Sequence, residues 1–182
     1  MDAWHGLVSR AGVAQGMWLL EEGETPAGAL ALAYGLEEGS RRFYQDLADR
    51  SSDAACRRLF ALLAEAEVRH EDRLWEAYRA LPDGTSTGRS AFEHAVVPRA
   101  LEGGLTPDEV LARTGTFPLT PEDALDLALA LEADALDLYL RMAWVVGDEG
   151  VRAVFLRTAE EEKAHLRRLG ELRGAHGLPE AG

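Results

Sequence analysis

Cysteine is almost absent from this chain. Among 182 residues there is one, Cys56, which excludes an internal disulfide framework and any iron or zinc site built on paired Cys-x-x-Cys motifs. We therefore interpret Cys56 as a packing residue and expect the protein to work in the reducing cytoplasm.

Basic residues and long apolar runs are also in short supply. The 32 acidic side chains outnumber the 19 basic ones and leave a net charge of -13, which argues against a nucleic-acid or anionic-membrane partner. Asp126 and Glu132 interrupt the longest apolar stretch before it reaches the roughly 18 residues of a membrane span, and residues 1–20 lack the layout of a signal peptide. With 47% apolar residues, the chain is expected to form one soluble, folded domain.

What the chain does contain is an internal repeat. Residues 25–74 align with residues 120–169 without a gap, at an offset of 95 residues, and the two segments share 19 identities in 50 positions. Random pairing of such a composition gives roughly a tenth identity, or about 5 matches. The chain is therefore predicted to be two copies of one helical hairpin.

Each copy carries a lone glutamate on its first helix and a Glu-x-x-His motif on its second. Residues three apart on a helix project from one face. Each of these side chains falls in the middle of an apolar stripe, where a charge is costly unless it is paired or metal-bound. Four helices thus bring four carboxylates and two imidazoles inward, the ligand pattern of ferritin-like di-iron and di-manganese bundles. The six candidate metal ligands are Glu37, Glu67, His70, Glu132, Glu162 and His165.

Any one of these residues alone has a simpler explanation, because glutamates pair with surface arginines and core histidines find other partners. Their symmetric occurrence in both repeats favours a metal site instead. The set carries a charge of about -4, which two divalent cations neutralise. Carboxylate and imidazole ligands suit iron or manganese, and zinc can replace them in purified protein. We expect two iron ions, bridged by Glu67 and Glu162, with Glu37 and Glu132 as terminal ligands.

Two tyrosines accompany the lone glutamates. Tyr44 and Tyr139 lie seven residues after the glutamate of their own repeat, two helical turns away on the same face. We interpret them mainly as core residues with a hydroxyl group available for hydrogen bonding. The alternative is that they are hydrogen-bond partners of the ligand carboxylates.

The periodicity and capping signals predict an all-α fold, a ferritin-like four-helix bundle made of two repeated hairpins with a long crossover that carries short helices. Thr-Pro pairs open the first and third long helices at Thr25 and Thr120. The crossover is predicted to hold one short helix at 91–101, weakened by Pro98, and another opened by a capping box at Thr106. The predicted bounds are 1–24 for an N-terminal extension with a short helix, about 26–48, 54–80, 121–146 and 149–173 for the long helices, 81–119 for the crossover, and 174–182 for a flexible tail.

These motifs resemble those of the rubrerythrin-like branch of the ferritin-like superfamily. The pattern Ala33-x-x-x-Glu37-x6-Tyr44 with Glu67-x-x-His70 recurs 95 residues later, and its spacing and order agree with that branch over residues 25–173. The resemblance implies a non-haem di-iron protein that reduces hydrogen peroxide or dioxygen, often as a dimer. We therefore expect an oxidoreductase that forms a homodimer.

Two departures from the rubrerythrin pattern change these expectations. Rubrerythrins usually add a rubredoxin domain whose paired cysteine motifs relay electrons, so the resemblance implies an external electron-donor protein here. They also carry an extra carboxylate three residues after the glutamate of the third helix. This chain has Ala135 there and Ser40 at the equivalent place in the first repeat, which predicts a more symmetric site. The competing interpretation is a non-enzymatic iron storage or sensor module, or an interaction module for a sulfur-metabolism partner.

A second, shorter resemblance concerns the start of the chain. Ala3, Trp4, His5 and Gly6, followed by a glycine-containing link, are similar to the end of a rhodanese domain, which precedes a module of this kind in some bacterial proteins. No rhodanese active-site cysteine is present, so no sulfurtransferase activity is expected. The resemblance nevertheless indicates a protein that works near sulfur or redox metabolism.

Overall fold

The computed structural model describes residues 25–82, 88–96, 101, 106–114 and 119–175, and within them every regular element is a helix. The all-α prediction is therefore confirmed. None of these helices is both long and apolar enough to cross a membrane. The helices are α1 Pro26–Arg50, α2 Ala54–Ala80, α3 Arg89–Ala95, α4 Pro107–Thr114, α5 Pro121–Val145 and α6 Glu149–Gly174.

Each long helix begins on a capping residue that recurs at the same place in the other repeat. The Oγ1 atoms of Thr25 and Thr120 accept hydrogen bonds from the backbone amides three residues further on, at 3.0 and 3.1 Å. Asp53 and Asp148 cap α2 and α6 in the same way, each at 2.9 Å. Such a cap stabilises a helix by about 1 kcal/mol, so the repeat preserves the start of every long helix.

The four long helices form two hairpins whose members pack along their length. Short connections at 51–53 and 146–148 make α1 antiparallel to α2 and α5 antiparallel to α6. Helix α2 lies against both helices of the second hairpin, so the two hairpins share one interior.

The interior consists of two apolar clusters separated by a polar layer. One cluster contains Phe43, Leu47 and Phe60, and the other contains Leu30 and Phe155. On each long helix, the predicted ligands fall between residues of the first cluster and residues of the second. The bundle therefore holds its charged side chains at mid-height with packed apolar residues on both sides.

The crossover differs in part from its prediction. Helix α3 spans Arg89–Ala95 rather than 91–101, and it ends before Pro98, which lacks the amide hydrogen and crowds the preceding turn. Phe92 anchors it against Tyr34 and Tyr78, with ring centroids 5.0 and 4.4 Å apart. Helix α4 has the predicted cap at Thr106. The long helices end within two residues of the expected positions, whereas residues 1–24 and 176–182 lie outside the described part of the chain.

Cys56 is a buried packing residue in α2. Its side chain is completely inaccessible, and its Sγ atom lies 3.8 Å from the carbonyl oxygen of Leu119. Burial, reinforced by the charge of Asp53, raises the pKa of the thiol to about 12. Cys56 therefore stays protonated and unreactive near neutral pH.

Candidate metal centre

The six predicted side chains come together from all four long helices. Their ligand atoms form two groups, and within each group the atoms lie within 4.8 Å of one another. Glu162 belongs to both groups. The first group consists of Glu37, Glu67, His70 and Glu162, and the second consists of Glu132, Glu162 and His165.

The first group is arranged around one nitrogen of a completely buried imidazole. The Nδ1 atom of His70 lies 3.3 Å from Oε2 of Glu37, 3.0 Å from Oε2 of Glu67 and 3.0 Å from Oε1 of Glu162. All four side chains are almost inaccessible to solvent. Three carboxylates and one imidazole nitrogen thus converge on one point in the core.

The second group repeats this arrangement with fewer members. The Nδ1 atom of His165 lies 2.9 Å from Oε2 of Glu132 and 3.2 Å from Oε2 of Glu162. Glu162 therefore presents one carboxylate oxygen to each histidine, as a bridging ligand does. The predicted bridging role of Glu162 matches this geometry, whereas Glu67 lies in the first group only. The two imidazole rings are stacked with centroids 5.8 Å apart.

The two tyrosines reach across the repeats. The hydroxyl group of Tyr44 donates a hydrogen bond to Oε1 of Glu132 at 2.7 Å, and the hydroxyl group of Tyr139 donates a short one to Oε1 of Glu37. Each tyrosine thus holds the lone glutamate of the other repeat and leaves the second carboxylate oxygen to face a histidine. Both tyrosines are also buried in the core, so the two interpretations from the sequence apply together.

Two residues of the site were missed by sequence reasoning. Oε2 of Glu161 lies 3.4 Å from Nε2 of His70, and Arg73 holds both oxygens of Glu161 at 2.6 and 2.8 Å. The contact with His70 and the Arg73 guanidinium outweigh partial burial and lower the pKa of Glu161 to about 2. Glu161 follows Glu160, an exposed glutamate, so the sequence offers no signal that separates the two.

The contact made by Glu161 distinguishes the two histidines. A histidine that binds metal through one ring nitrogen usually directs the other toward a carboxylate or carbonyl group, which fixes the ring orientation. Glu161 lies 3.4 Å from this nitrogen of His70, but Nε2 makes no hydrogen bond to any of the described residues, so the contact is electrostatic. The equivalent position in the first repeat is Ala66, so His165 has no matching carboxylate from that position.

Protons compete with cations for the space between these side chains. Burial raises the pKa of Glu162 to about 8, with the hydrogen bond from His165 opposing the shift and the charge of Glu132 reinforcing it. Burial favours the neutral form of His165, but the carboxylates of Glu132 and Glu162 outweigh it and raise its pKa to about 9. The second group therefore binds protons readily near neutral pH.

The carboxylates of the first group also favour a positive charge between them. Burial favours the neutral form of His70, but Glu37, Glu161 and Glu67 raise its pKa well above the usual value. Burial also opposes ionisation of Glu37, yet the charge and hydrogen bond of His70 lower the pKa of that carboxyl group. Divalent cations placed between the carboxylates would neutralise their charge more completely than protons do.

The donor set fits a pair of metal ions. Each histidine offers Nδ1 to a different group of carboxylates, and Glu162 joins the two groups. Four carboxylates and two neutral imidazoles balance two divalent cations, which a buried site requires. Carboxylate oxygen and imidazole nitrogen are ligands that suit iron and manganese.

An all-α bundle of two hairpins is the architecture of the ferritin-like carboxylate proteins, and the buried cluster fits the di-metal site of that class. Within this class, residues 28–110 match the family model named Rubrerythrin. That stretch covers the first hairpin from the start of α1 into α4, and the second hairpin repeats its motifs. The resemblance of the chain to the rubrerythrin-like branch of the ferritin-like superfamily is therefore confirmed, and the family suggests a di-iron carboxylate protein.

Two proteins of Pyrococcus furiosus are similar to this chain. A ferritin-like–encapsulin shell fusion protein is 44% identical over 52 residues, a match that covers 27% of this chain and 15% of that protein. A solved structure of a hypothetical protein superposes with a TM-score of 0.56 at 24% identity and covers 81% of this chain and 87% of the other. The structural match supports the fold alone. The possible rhodanese ending falls on residues 3–6, outside the described residues, and stays a prediction.

Proposed function

We propose that this protein is a di-iron oxidoreductase that reduces hydrogen peroxide or dioxygen at the cluster around Glu162. The observation that carries the proposal is the division of Glu162 between two histidines, at 3.0 and 3.2 Å. This carboxylate would allow the two groups of side chains to hold two ions next to one another. The match of residues 28–110 to the rubrerythrin family supports this chemistry.

The side chains of this chain have distinct tasks in the proposed site. Glu37, Glu67 and His70 would hold one ion, Glu132 and His165 would hold the other, and Glu162 would contribute to both positions. Bound iron would supply the electrons for reduction of the substrate. The carboxylates and imidazoles spread over both groups keep the net charge of the loaded site close to zero, which lowers the cost of burying it.

The hydrogen bonds around the ligands orient them before metal binds. Tyr44 and Tyr139 each occupy one oxygen of a lone glutamate, which leaves the other oxygen as the ligand atom. Glu161, held by Arg73, faces the outer nitrogen of His70 and is partly exposed. It therefore lies between this histidine and solvent, and its negative charge, which a pKa of about 2 preserves, favours a proton on His70.

Reduction of hydrogen peroxide to two water molecules requires two electrons and two protons, and the electrons must be replaced after each cycle. The sequence holds one cysteine, and this thiol is buried and protonated in the structure. We therefore propose that a protein or domain outside this sequence supplies the electrons. We also propose that iron is the resident metal, in a homodimer, with manganese as the alternative ion.

A second candidate function is iron binding and storage without catalytic turnover. The observation that favours it is the similarity to a ferritin-like–encapsulin shell fusion protein, whose name couples a ferritin-like part to a shell. In that function the same ligands would bind ferrous iron and release it after oxidation. The same cluster of ligands is compatible with both functions. Catalysis and storage therefore differ in the kinetics of iron oxidation rather than in the ligands.

Stopped-flow mixing of the anaerobic ferrous protein with hydrogen peroxide, and separately with air-saturated buffer, tests the proposal. Excess peroxide with a chemical reductant should give many turnovers per chain, whereas one oxidation event per bound iron pair would favour storage. Glu162→Ala should abolish the fast phase. The matched control is Glu160→Ala on the exposed face of the same helix, which should react like the wild type. A wild-type rate equal to that of free ferrous iron would contradict both candidate functions.

A further inference from the structure

An apolar surface outside the metal site distinguishes the second hairpin from the first. Four apolar side chains in the last two turns of α5 and the first two turns of α6 are about half exposed or more. Two of them, Trp144 and Leu156, line a groove of about 410 Å³ with Ala143 and Arg152. We call the four residues the α5–α6 patch. They are Leu140 (48% exposed), Trp144 (87%), Val145 (51%) and Leu156 (45%).

The internal repeat supplies a control for this patch. The residues at the equivalent positions of the first hairpin are also exposed, but they are polar or small. The bundle core therefore does not require apolar side chains at these places. The equivalents, 95 residues earlier in the chain, are Gln45, Asp49, Arg50 and Ala61.

The beginning of α1 lies at the same end of the bundle as the patch. Leu30 and Ala33, in the first turns of α1, belong to the same apolar cluster as Ala143, Val146 and Val151, which flank the patch. Thr25, the first described residue, therefore lies at this end of the bundle. The end of α6 lies elsewhere, because Leu169 belongs to the opposite cluster.

The segment before Thr25 contains an apolar stretch of matching chemistry. Residues 21–24 separate it from Thr25, and four residues can span at most about 13 Å. The patch consists of only four side chains, three of them about half exposed, whereas each partner in a standard interface buries roughly 800 Å², so a short segment fits the patch better than a second copy does. The apolar stretch consists of Met17, Trp18, Leu19 and Leu20.

We propose that residues 17–20 of the same chain bind the α5–α6 patch and cover Trp144. The segment would then fasten the start of α1 to the end of α5 and remove the exposed indole from water. Burial of apolar surface favours this contact by about 25 cal/mol per Å². The contact would be intramolecular, and the short spacer gives the segment a high effective concentration at the patch.

Disulfide trapping in the full chain tests this proposal. Leu19→Cys is combined with Leu140→Cys in one protein and with Leu156→Cys in another, which allows for either direction of the segment across the patch. Cys56 is buried and protonated, so it does not compete. Mild oxidation should produce a disulfide within one chain in at least one pair, seen as a monomer of altered mobility on a non-reducing gel.

Substitutions taken from the other repeat distinguish binding of the segment to the patch from disulfides that form by random collision. Trp144→Asp introduces the residue type of the first repeat and should slow disulfide formation about tenfold, because it removes most of the apolar contact. Leu62→Arg makes the same kind of exchange at an exposed leucine outside the patch and should leave the rate unchanged. Disulfides between chains would show that a second copy covers the patch, and this would overturn the proposal. Absence of any disulfide, or a rate insensitive to Trp144→Asp, would overturn it equally.

Discussion

The two hairpins agree in the interior and differ in the layer around it. The ligand positions, the caps and the two tyrosines recur at a constant offset of 95 residues, because both copies meet the same demands for helix starts, core packing and buried charge. The carboxylate of Glu161, which approaches a ligand from outside, does not recur, because the first repeat has Ala66 at this position. The candidate metal site is therefore symmetric in its ligands and asymmetric in its surroundings.

The two histidines show this asymmetry most clearly. His70 is fully buried, and its outer nitrogen faces Glu161. The side chain of His165 is 14% exposed, and Ala66 occupies the position that corresponds to Glu161. The two halves of the site should therefore bind similar ions with different rates of ligand and proton exchange.

The largest effect is expected from the shared carboxylate. Glu162→Ala removes a ligand atom from both groups, so the variant should lose most of its bound iron, whereas Glu67→Ala should mainly weaken the first position. Anaerobic titration with ferrous iron measures both, with two ions expected per wild-type chain. Equal losses in the two variants would show that Glu67 bridges as well. A wild type with one tightly bound ion, unaffected by either change, would contradict the di-metal site.

The two histidines provide the second test of equivalence. His70→Ala and His165→Ala should each weaken one ion by at least about 10–100-fold, the range found for perturbing even the outer partners of ligands, and leave the other ion largely bound. The double variant should bind little iron, because the remaining carboxylates favour harder ions. Mössbauer spectra of the singly substituted proteins distinguish the two positions. One inactive and one fully active variant would refute functional equivalence.

Removal of metal should make folding stability depend on pH. The pKa values of Glu162 and His165 are raised to about 8 and about 9 in the folded chain, so the folded state holds more protons than the unfolded state across neutral pH. The metal-free protein should therefore lose stability as pH rises from about 5.5 to about 9. Metal loading should raise the melting temperature, most of all at the higher pH. Melting temperatures independent of both pH and chelator would indicate that the carboxylates are not clustered.

The crossed tyrosines should have smaller and nearly equal effects. Tyr44→Phe removes the hydroxyl group that holds Glu132, and Tyr139→Phe removes the one that holds Glu37. A hydrogen bond to a charged group contributes about 1.5–3 kcal/mol, so each variant should unfold at a lower denaturant concentration. Each should also weaken the ion of the opposite repeat. An effect confined to the same repeat would contradict the crossed pairing.

The smallest effect concerns the asymmetric carboxylate. Glu161→Ala gives the second repeat the residue that the first repeat has at Ala66, so it should make the two halves more alike. The affinity for iron at the His70 position should fall modestly, and the pH dependence of iron oxidation should shift. Glu160→Ala, on the exposed neighbour, is the control. An unchanged pH profile would show that the charge of Glu161 does not affect the protonation of His70.

The sequence predicted the grouping of the six side chains because a glutamate inside an apolar stripe is costly to bury unless it is paired or metal-bound. The repeat then supplied the second set and fixed the spacing. The sequence could not predict whether each tyrosine contacts the glutamate of its own repeat or that of the other repeat. A constant offset relates equivalent residues but contains no information about their partners. Glu161 was missed since its helix carries several glutamates, and only the position of α2 selects one of them.

The crossover was the least predictable part for a related reason. The capping box at Thr106 is a local signal, and it predicted the start of α4 correctly. The bounds of α3 depend on the packing of Phe92 against Tyr34 and Trp75, which are distant in sequence. The exposed position of Trp144 likewise depends on tertiary structure, although its polar equivalent in the first repeat is visible in the alignment.

The reciprocal hydrogen bonds of Tyr44 and Tyr139 also bear on how the protein unfolds. Each hairpin contributes the tyrosine that holds the lone glutamate of the other hairpin. Separating the hairpins therefore exposes two buried carboxylates and two phenol groups at once. A partly unfolded form with one intact hairpin would therefore gain little from the structure that it retains. The two halves should unfold in one cooperative transition, and a hairpin produced alone would need a second copy of itself to complete the same set of contacts.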